Sequence, residues 1–127
     1  MMNVDFSKVV IEQMRERYGT KSTDGKLAMQ FMCHDVTTRF PFADESFDLI
    51  VCKGSFDAIL TSAGSVAHIR TLIQESARCL VRGHGVFFVV THGSPDNRVV
   101  FLEHDNDINY YWDGVSVHQL QRPVSGV

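Results

Sequence analysis

Four apolar segments of the chain end at polar residues that could bind a nucleotide or act on a substrate. Asp5 ends the segment NVD, Asp35 follows LAMQFMCH, Lys53 follows FDLIVC, and Thr91-His92 close GVFFVVTH. In sheets of parallel strands, ligands bind in the crevice at the carboxyl ends of the strands. We therefore expect Asp5 and Asp35 to point into one crevice, where a carboxylate can bind the hydroxyls of a ribose.

The position of Asp5 is unusual for a ribose-binding residue. Such a carboxylate normally comes about 20 residues after a glycine-rich phosphate-binding loop, and no such loop precedes Asp5. Simpler roles are open as well: Asp5 could mark the start of a helix, and Asp35 could cap a turn. For Asp57 the alternatives are a helix cap and a catalytic acid or base.

The elements that would position these residues can be read from the apolar spacing. Helical spacing with a cap at Ser7 predicts a helix that ends at Gly19, and a second amphipathic helix runs from Ser65 to Arg82. A short helix is predicted over Phe56–Leu60. The predicted strands are NVD at residues 3–5, Leu27–His34, Phe47–Cys52, Gly85–Thr91 and Val115–Leu120.

The order of these elements predicts the fold class. Strands and helices alternate, and the strands are apolar on both faces, which favours an α/β fold with a mostly parallel sheet buried under flanking helices. With 127 residues, one domain covering residues 1–127 is expected.

Composition excludes some classes of function. The net charge of −3 gives no reason to expect nucleic acid or an anionic membrane as a partner. No apolar run is long enough to span a bilayer, and the N-terminus does not resemble a signal peptide. Three scattered cysteines without paired spacing favour a reduced, cytoplasmic protein.

A metal site is not predicted. Cys33 and His34 are adjacent, but no second ligand pair has zinc spacing. The acidic segment at residues 103–107 lacks the glycine and terminal glutamate of a calcium loop and is expected to be solvated. The aromatic segment at residues 110–112 is expected to pack under the last strand, with a substrate surface as the alternative.

Three stretches, NVDFSKVVIEQM, FMCHDVTTRFPFADESFDLIVCKGSFDAIL and ESARCLVRGHGVFFVVTHGSPDNR, resemble class I S-adenosylmethionine-dependent methyltransferases. They cover most of residues 3–98. The similarity is greatest to the branch that contains lysine methyltransferases of elongation factor 1A, and FPFADESFDLIVCKGSFDAIL is its most specific part. The resemblance implies a Rossmann-like fold, S-adenosylmethionine as cofactor and transfer of its methyl group, with a protein lysine as one candidate acceptor.

The resemblance also implies roles for individual residues. Asp5 would bind both ribose hydroxyls, Phe6 would pack on the adenine, and Asp35 would accept from the adenine amino group beside the backbone N–H of Val36. The turn at Cys52 and Lys53 would lie near the methionine end of the cofactor. The loop THGSPDNR would lie on the substrate side, and Lys53 and Asp57 are the candidate catalytic residues.

The chain departs from this family in two ways. The central strand and glycine-rich loop of the family are missing, so the strand ending at Asp5 and the strand Phe47–Cys52 should be neighbours only across a gap, or have closed up on each other. In addition, Cys52 stands where relatives carry an acid. We therefore expect a partial methyltransferase domain; the alternative is a non-catalytic fragment that acts as an interaction module.

Overall fold

The structure, a computed structural model, describes residues 1–19, 28–103, 112–121 and 123. It divides into two compact units, Met1–Pro41 and Phe42–Val127. Both units have the α/β character expected, with parallel strands and connecting helices. The division into units leaves the single partial domain over residues 1–127 as a prediction.

The first unit is a strand–helix–strand motif. Strand β1 (Met2–Asp5) leads into helix α1 (Lys8–Tyr18), and the chain returns in strand β2 (Gln30–Cys33), parallel to β1 with Asp5 opposite Cys33. Helix α1 begins as predicted, because the Ser7 hydroxyl accepts from the backbone N–H of Val10 at 3.3 Å. Burial of Ile11 on the inner side of α1 fixes the helix against the strands.

The second unit repeats this arrangement on a larger scale. Its elements are strand β3 (Leu49–Lys53), helix α2 (Ser55–Leu60), helix α3 (Ser65–Cys79), strand β4 (Val86–Val90) and helix α4 (Pro95–Leu102). Strands β3 and β4 are parallel, with Leu49 opposite Val86. The apolar stripe of α3 contributes Ile69, Leu72 and Ile73 to the core of this unit, and these residues are at most 4% exposed.

Two features at the end of the second unit differ from the prediction. Helix α4 was not predicted; it begins with Pro95 at its first turn, where a missing N–H costs nothing. The predicted strand Val115–Leu120 is wrong, because these residues have no regular structure and Leu120 is 86% exposed. An alternating apolar pattern specifies a strand only where a neighbouring strand offers hydrogen bonds, and none of the described residues pairs with this segment.

The described strands form two separate two-stranded sheets. Within the described residues, β1 pairs with β2 and β3 pairs with β4, and no further strand lies beside either pair. No strand of the described residues corresponds to the central strand that the resemblance implies. How β1 and β3 are related in space stays a prediction.

One face of the β3–β4 sheet is exposed, although interior strands were predicted. Leu49, Val51, Val86 and Phe88 share this face in the observed register and are between 51% and 58% exposed. On the opposite face Cys52 is buried. Continuous apolar runs predict strands covered on both sides, but the helices of this unit cover only one.

Within the described residues, no helix is both long enough and apolar enough to cross a membrane.

Candidate functional site

The first unit brings Asp5 and Asp35 to the same edge of its sheet. Asp5 is the last residue of β1, and Asp35 lies two residues beyond the end of β2. The strand ends are joined by a hydrogen bond from the His34 N–H to the Asp5 carbonyl at 3.0 Å and another from the Cys33 thiol to the Phe6 carbonyl at 3.3 Å. Both acids thus follow parallel, hydrogen-bonded strands, which is the placement required of a ligand crevice.

Both carboxylates also have local structural roles. Asp5 Oδ1 accepts from the backbone N–H of Ser7 at 2.8 Å, which shapes the start of α1. Asp35 Oδ1 accepts from the N–H of Thr37 at 2.9 Å and from its hydroxyl at 2.7 Å, which closes a turn. A carboxylate offers about four lone-pair positions, so the local bond of Asp5 leaves room for further donors. The structural role and the ribose role of Asp5 are therefore compatible.

Phe6 is the most unusual side chain at this edge. Its ring is 80% exposed, directly after Asp5. Val36, which follows Asp35 in the turn after β2, is half-buried. An exposed aromatic ring beside a carboxylate suits a ligand that combines a flat base with a hydroxylated sugar.

In the second unit, Cys52 and Lys53 close strand β3. Cys52 is buried, and burial raises the pKa of its thiol, although hydrogen bonds with the Phe56 backbone and Ser55 oppose this effect. The Cys52 side chain is thus a neutral packing group, and contact with a ligand would have to involve its backbone. Lys53 is exposed, and the turn after it is made by Gly54 with φ of 79°, a left-handed conformation that favours glycine.

Asp57 lies at the centre of a hydrogen-bonded cluster rather than capping α2. Its Oδ1 accepts from the Thr91 hydroxyl at 2.5 Å and from Arg98 Nη2 at 3.0 Å, while Oδ2 accepts from the backbone N–H of His92 at 3.2 Å. The Thr91 hydroxyl in turn accepts from Arg98 Nε at 2.8 Å. The cluster joins α2, the end of β4 and α4.

The cluster controls the ionisation of Asp57. Partial burial alone would raise the pKa of the carboxyl group, but the hydrogen bonds from Thr91, Arg98 and His92, with the charge of Arg98, lower it overall. Sequence reasoning placed Thr91 at a strand end but missed Arg98. The available signal was a basic residue soon after Gly93-Ser94-Pro95, which also starts a helix.

Other candidate features lie elsewhere or outside the described residues. Among the residues that the structure describes, no group of three His, Cys, Asp or Glu side chains is placed to hold a metal ion. A surface depression of about 720 Å³ is lined by residues of α3 and its N-terminal cap, and by none of the candidate residues. Residues 104–111 lie outside the described part of the chain. Trp112 stacks on Phe87 of β4 at a ring distance of 5.8 Å, and the last strand under which it was predicted to pack did not form.

A family model described as "Methyltransferase domain" matches residues 1–89. The "eEF1A lysine and N-terminal methyltransferase" of Mus musculus is 34% identical over 85 residues, which are 65% of this chain and 12% of that protein. The protein of the same name from Xenopus laevis is 34% identical over 93 residues, which are 72% of this chain and 13% of that protein. The chain thus spans only a small part of the length of these relatives.

A solved structure supports the fold. The crystal structure of an S-adenosylmethionine-dependent methyltransferase from Methanosarcina mazei aligns with a TM-score of 0.57 and 20% identity. The alignment covers 80% of this chain and 46% of that chain. The Rossmann-like fold expected from the sequence is therefore confirmed, at a level of identity that supports the fold alone.

Proposed function

Because the chain belongs to the class I S-adenosylmethionine-dependent methyltransferases, we propose that it binds S-adenosylmethionine and contributes to transfer of its methyl group to a nucleophile. The observation that carries this proposal is the shared edge of β1 and β2, where Asp5, Phe6 and Asp35 end or follow two hydrogen-bonded strands. Each of these side chains has the chemistry needed for one part of an adenosine group.

The fit to adenosine can be argued residue by residue. The carboxylate of Asp5 can accept from two adjacent ribose hydroxyls while Oδ1 keeps its bond to Ser7, because that oxygen has a second lone pair. The exposed ring of Phe6 offers a face for the adenine. Asp35 lies in the turn after β2. Its carboxylate supplies an acceptor for the adenine amino group, and the backbone N–H of Val36 lies next to it in the chain.

When bound, the cofactor supplies an electrophilic methyl group on a positively charged sulfur. The chain's own residues align the donor with the acceptor and exclude water from the reacting atoms. An amine acceptor would have to lose a proton to a base or to water before it could accept a methyl group. Lys53 remains a candidate for a role near the acceptor because it is exposed at the carboxyl end of β3.

A protein lysine is the acceptor that the relatives favour. Two relatives are described as lysine and N-terminal methyltransferases of eEF1A, and they match 85 and 93 residues of this chain. The shared region is 12–13% of the length of these relatives. A protein lysine as the methyl acceptor of this chain is therefore proposed together with the methyl transfer itself.

Binding can be tested by titrating the isotope-labelled chain with S-adenosylhomocysteine, the demethylated product, and following backbone amide signals by NMR. We expect concentration-dependent shifts at Phe6, Ser7 and Val36. Affinity should be weak, because the sequence has no glycine-rich loop to contact the amino-acid end of the ligand. NMR is suited to this range because it detects millimolar binding.

The variant Asp5→Asn keeps an oxygen for the Ser7 N–H but removes the charge and one acceptor. Hydrogen bonds to charged groups contribute about 1.5–3 kcal/mol, so the affinity should fall by about tenfold or more. Glu12→Gln, which removes an exposed charge from α1, is the matched control and should bind as the wild type does. Shifts confined to the second unit, or equal affinities for wild type and Asp5→Asn, would contradict this site.

The second candidate function is a non-catalytic fragment that acts as an interaction module. It is favoured by the exposed apolar face of β3 and β4, formed by Leu49, Val51, Val86 and Phe88, since large exposed apolar patches mark interaction sites. Absence of amide shifts at saturating S-adenosylhomocysteine, together with self-association in sedimentation velocity experiments that Phe88→Asp abolishes, would favour this function over methyl transfer.

A further inference from the structure

One edge of strand β3 carries backbone groups that are not bonded to another strand. Along β3 the hydrogen-bonding groups of successive residues point to alternate edges, and the bonds to β4 include the Asp48 carbonyl and the Gly54 N–H. The backbone groups of Leu49, Val51 and Lys53 therefore point to the opposite edge, where no strand of the described residues pairs with them. A free edge of this kind can accept an additional strand.

This free edge is short and bounded at both ends. Phe47, two residues before β3, already pairs with Leu80, and Gly54 turns the chain after Lys53. The open part of the edge is thus β3 itself, Leu49–Lys53, and a partner strand of 5 residues matches it.

Residues 113–117, with the sequence DGVSV, have the pattern of such a strand. Apolar residues alternate here with small ones, and Val115 and Val117 are 38% and 51% exposed. None of the described residues pairs with this segment. Trp112, immediately before it, stacks on Phe87 of β4 and so attaches the start of the segment to the second unit.

An antiparallel register matches both the charges and the apolar residues of the two strands. Asp113 then lies opposite Lys53, and opposite charges directly across from each other stabilise strand pairing. Two apolar pairs follow on the exposed face of the sheet: Val115 with Val51, and Val117 with Leu49. A parallel register would instead bring Lys53 opposite Val117 and would leave both charges without a partner of opposite sign.

The same antiparallel register places small side chains on the covered face of the sheet. Gly114 falls opposite the buried Cys52, and Ser116 falls opposite Ile50. Because side chains alternate between the two faces, a shift by one residue would turn Val115 and Val117 toward the helices. Charge, apolarity and side-chain size thus agree on one register.

We propose that residues 113–117 of one copy of the chain form an antiparallel strand on the free edge of β3 in a second copy, and that the exchange is reciprocal. Within one chain the segment is unpaired and begins at β4, whereas a second copy offers an identical free edge. Each copy donates one strand and accepts one, which closes a two-fold symmetric dimer. The proposal involves only the second unit and does not rest on cofactor binding or methyl transfer.

Sedimentation velocity of the full chain over a range of concentrations tests the association. We expect an equilibrium of monomers and dimers without larger species. Val117→Asp places a charge among the apolar pairs and should lower the dimer affinity by about tenfold or more, since the position occurs twice in each dimer. Leu120→Asp, outside the paired residues, is the matched control and should keep the wild-type affinity. Neither residue lies in a helix or strand, so both variants should fold.

Charge reversal tests the register. Asp113→Lys and Lys53→Asp each place like charges opposite one another, so each should weaken the dimer on the order of tenfold. The double variant restores a pair of opposite charges and should return the affinity to within about threefold of the wild type. A double variant as weak as the single variants would overturn the register.

Hydrogen exchange tests the strand itself. In the proposed pairing the amides of Val115 and Val117 bond to β3, so they should exchange about tenfold more slowly in the dimer than in the monomer. The Ser116 amide points away from β3 and should exchange at the same rate in both.

Two outcomes would overturn the strand exchange. A chain that is monomeric at every concentration has no exchanged strand, and protection of the Val115 amide in that monomer would mean pairing within one chain. Dimers that persist in Val117→Asp but are lost in Phe88→Asp would mean that the exposed sheet faces pack together without exchange. Neither outcome depends on whether the chain binds S-adenosylhomocysteine, so the proposed function is tested separately.

Discussion

At the scale of single residues, Asp57 should make stability depend on pH. Its pKa is lowered in the folded chain, so its contribution is fully present above the unfolded value of about 3.9 and is lost as the pH falls through the lower folded value. Asp57→Asn should lower the free energy of unfolding at pH 7 by about 1–3 kcal/mol, because charged hydrogen bonds are lost. Urea unfolding of the wild type and of Asp57→Asn at pH 7 and pH 3 measures the two free energies of unfolding. The difference between them should be smaller at pH 3 than at pH 7. A difference independent of pH would contradict an ionised Asp57.

Replacing Ser76 with alanine should raise the stability of the chain, whereas Asp57→Asn should lower it. Its side chain is fully buried in α3, and its hydroxyl has no hydrogen-bond partner within the described structure. An unsatisfied buried hydroxyl costs about 1–3 kcal/mol, so Ser76→Ala should raise the free energy of unfolding by about 1 kcal/mol once lost packing is included. Urea unfolding at pH 7 measures the change, with Ser65→Ala at the start of α3 as a control. A lower stability for Ser76→Ala would show that the hydroxyl has a partner, such as a buried water.

At the scale of secondary-structure elements, α3 should contribute strongly to the stability of the second unit. Ile73 is fully buried and Val66 is 52% exposed in the same helix. Ile73→Ala should cost about 2–5 kcal/mol, since it removes apolar contacts and leaves a cavity, whereas Val66→Ala should cost less than about 0.5 kcal/mol. Urea unfolding followed by circular dichroism measures the free energies of unfolding of Ile73→Ala and Val66→Ala. Similar costs would mean that α3 does not pack as described.

The same helix connects to the segment before β3 through Arg78. This guanidinium bonds to Glu75 at 2.8 Å, to Asp44 at 2.8 Å and to the Phe42 carbonyl at 2.8 Å. The hydrogen bond with Glu75, followed by that with Asp44, raises the pKa of Arg78 further above its usual range. The end of α3 thus holds the segment that leads into β3.

At the scale of the whole molecule, ligand binding should stabilise the chain by mass action. At S-adenosylhomocysteine tenfold above its Kd, binding to the folded state alone adds about 1.4 kcal/mol. For a chain of 127 residues this corresponds to a rise in Tm of about 5 °C. Differential scanning calorimetry with increasing ligand measures the shift, and Asp5→Asn should need about tenfold more ligand for the same rise. An unchanged Tm at every ligand concentration would contradict binding to the folded chain.

The sequence by itself determined the local order of elements and the residues at the strand ends. Four of the five predicted strands, the capped helix after Ser7 and the long amphipathic helix appear close to where apolar spacing predicted them, because these signals depend on neighbours close in the chain. The order and spacing of the three stretches that carry the resemblance together suggested the family that the family model then matched. Asp5 and Asp35 could be selected because each follows a strand.

The tertiary structure decided which of these residues have partners. Thr91 and Arg98 are 34 and 41 residues from Asp57, and no local pattern indicates that they share its carboxylate. The burial of Cys52 and the exposure of Val51, one residue apart, depend on which face of the β3–β4 sheet the helices cover. The segment 115–120 has a strand-like pattern but no pairing partner among the described residues, because strand formation requires hydrogen bonds from a neighbour that the segment itself cannot provide.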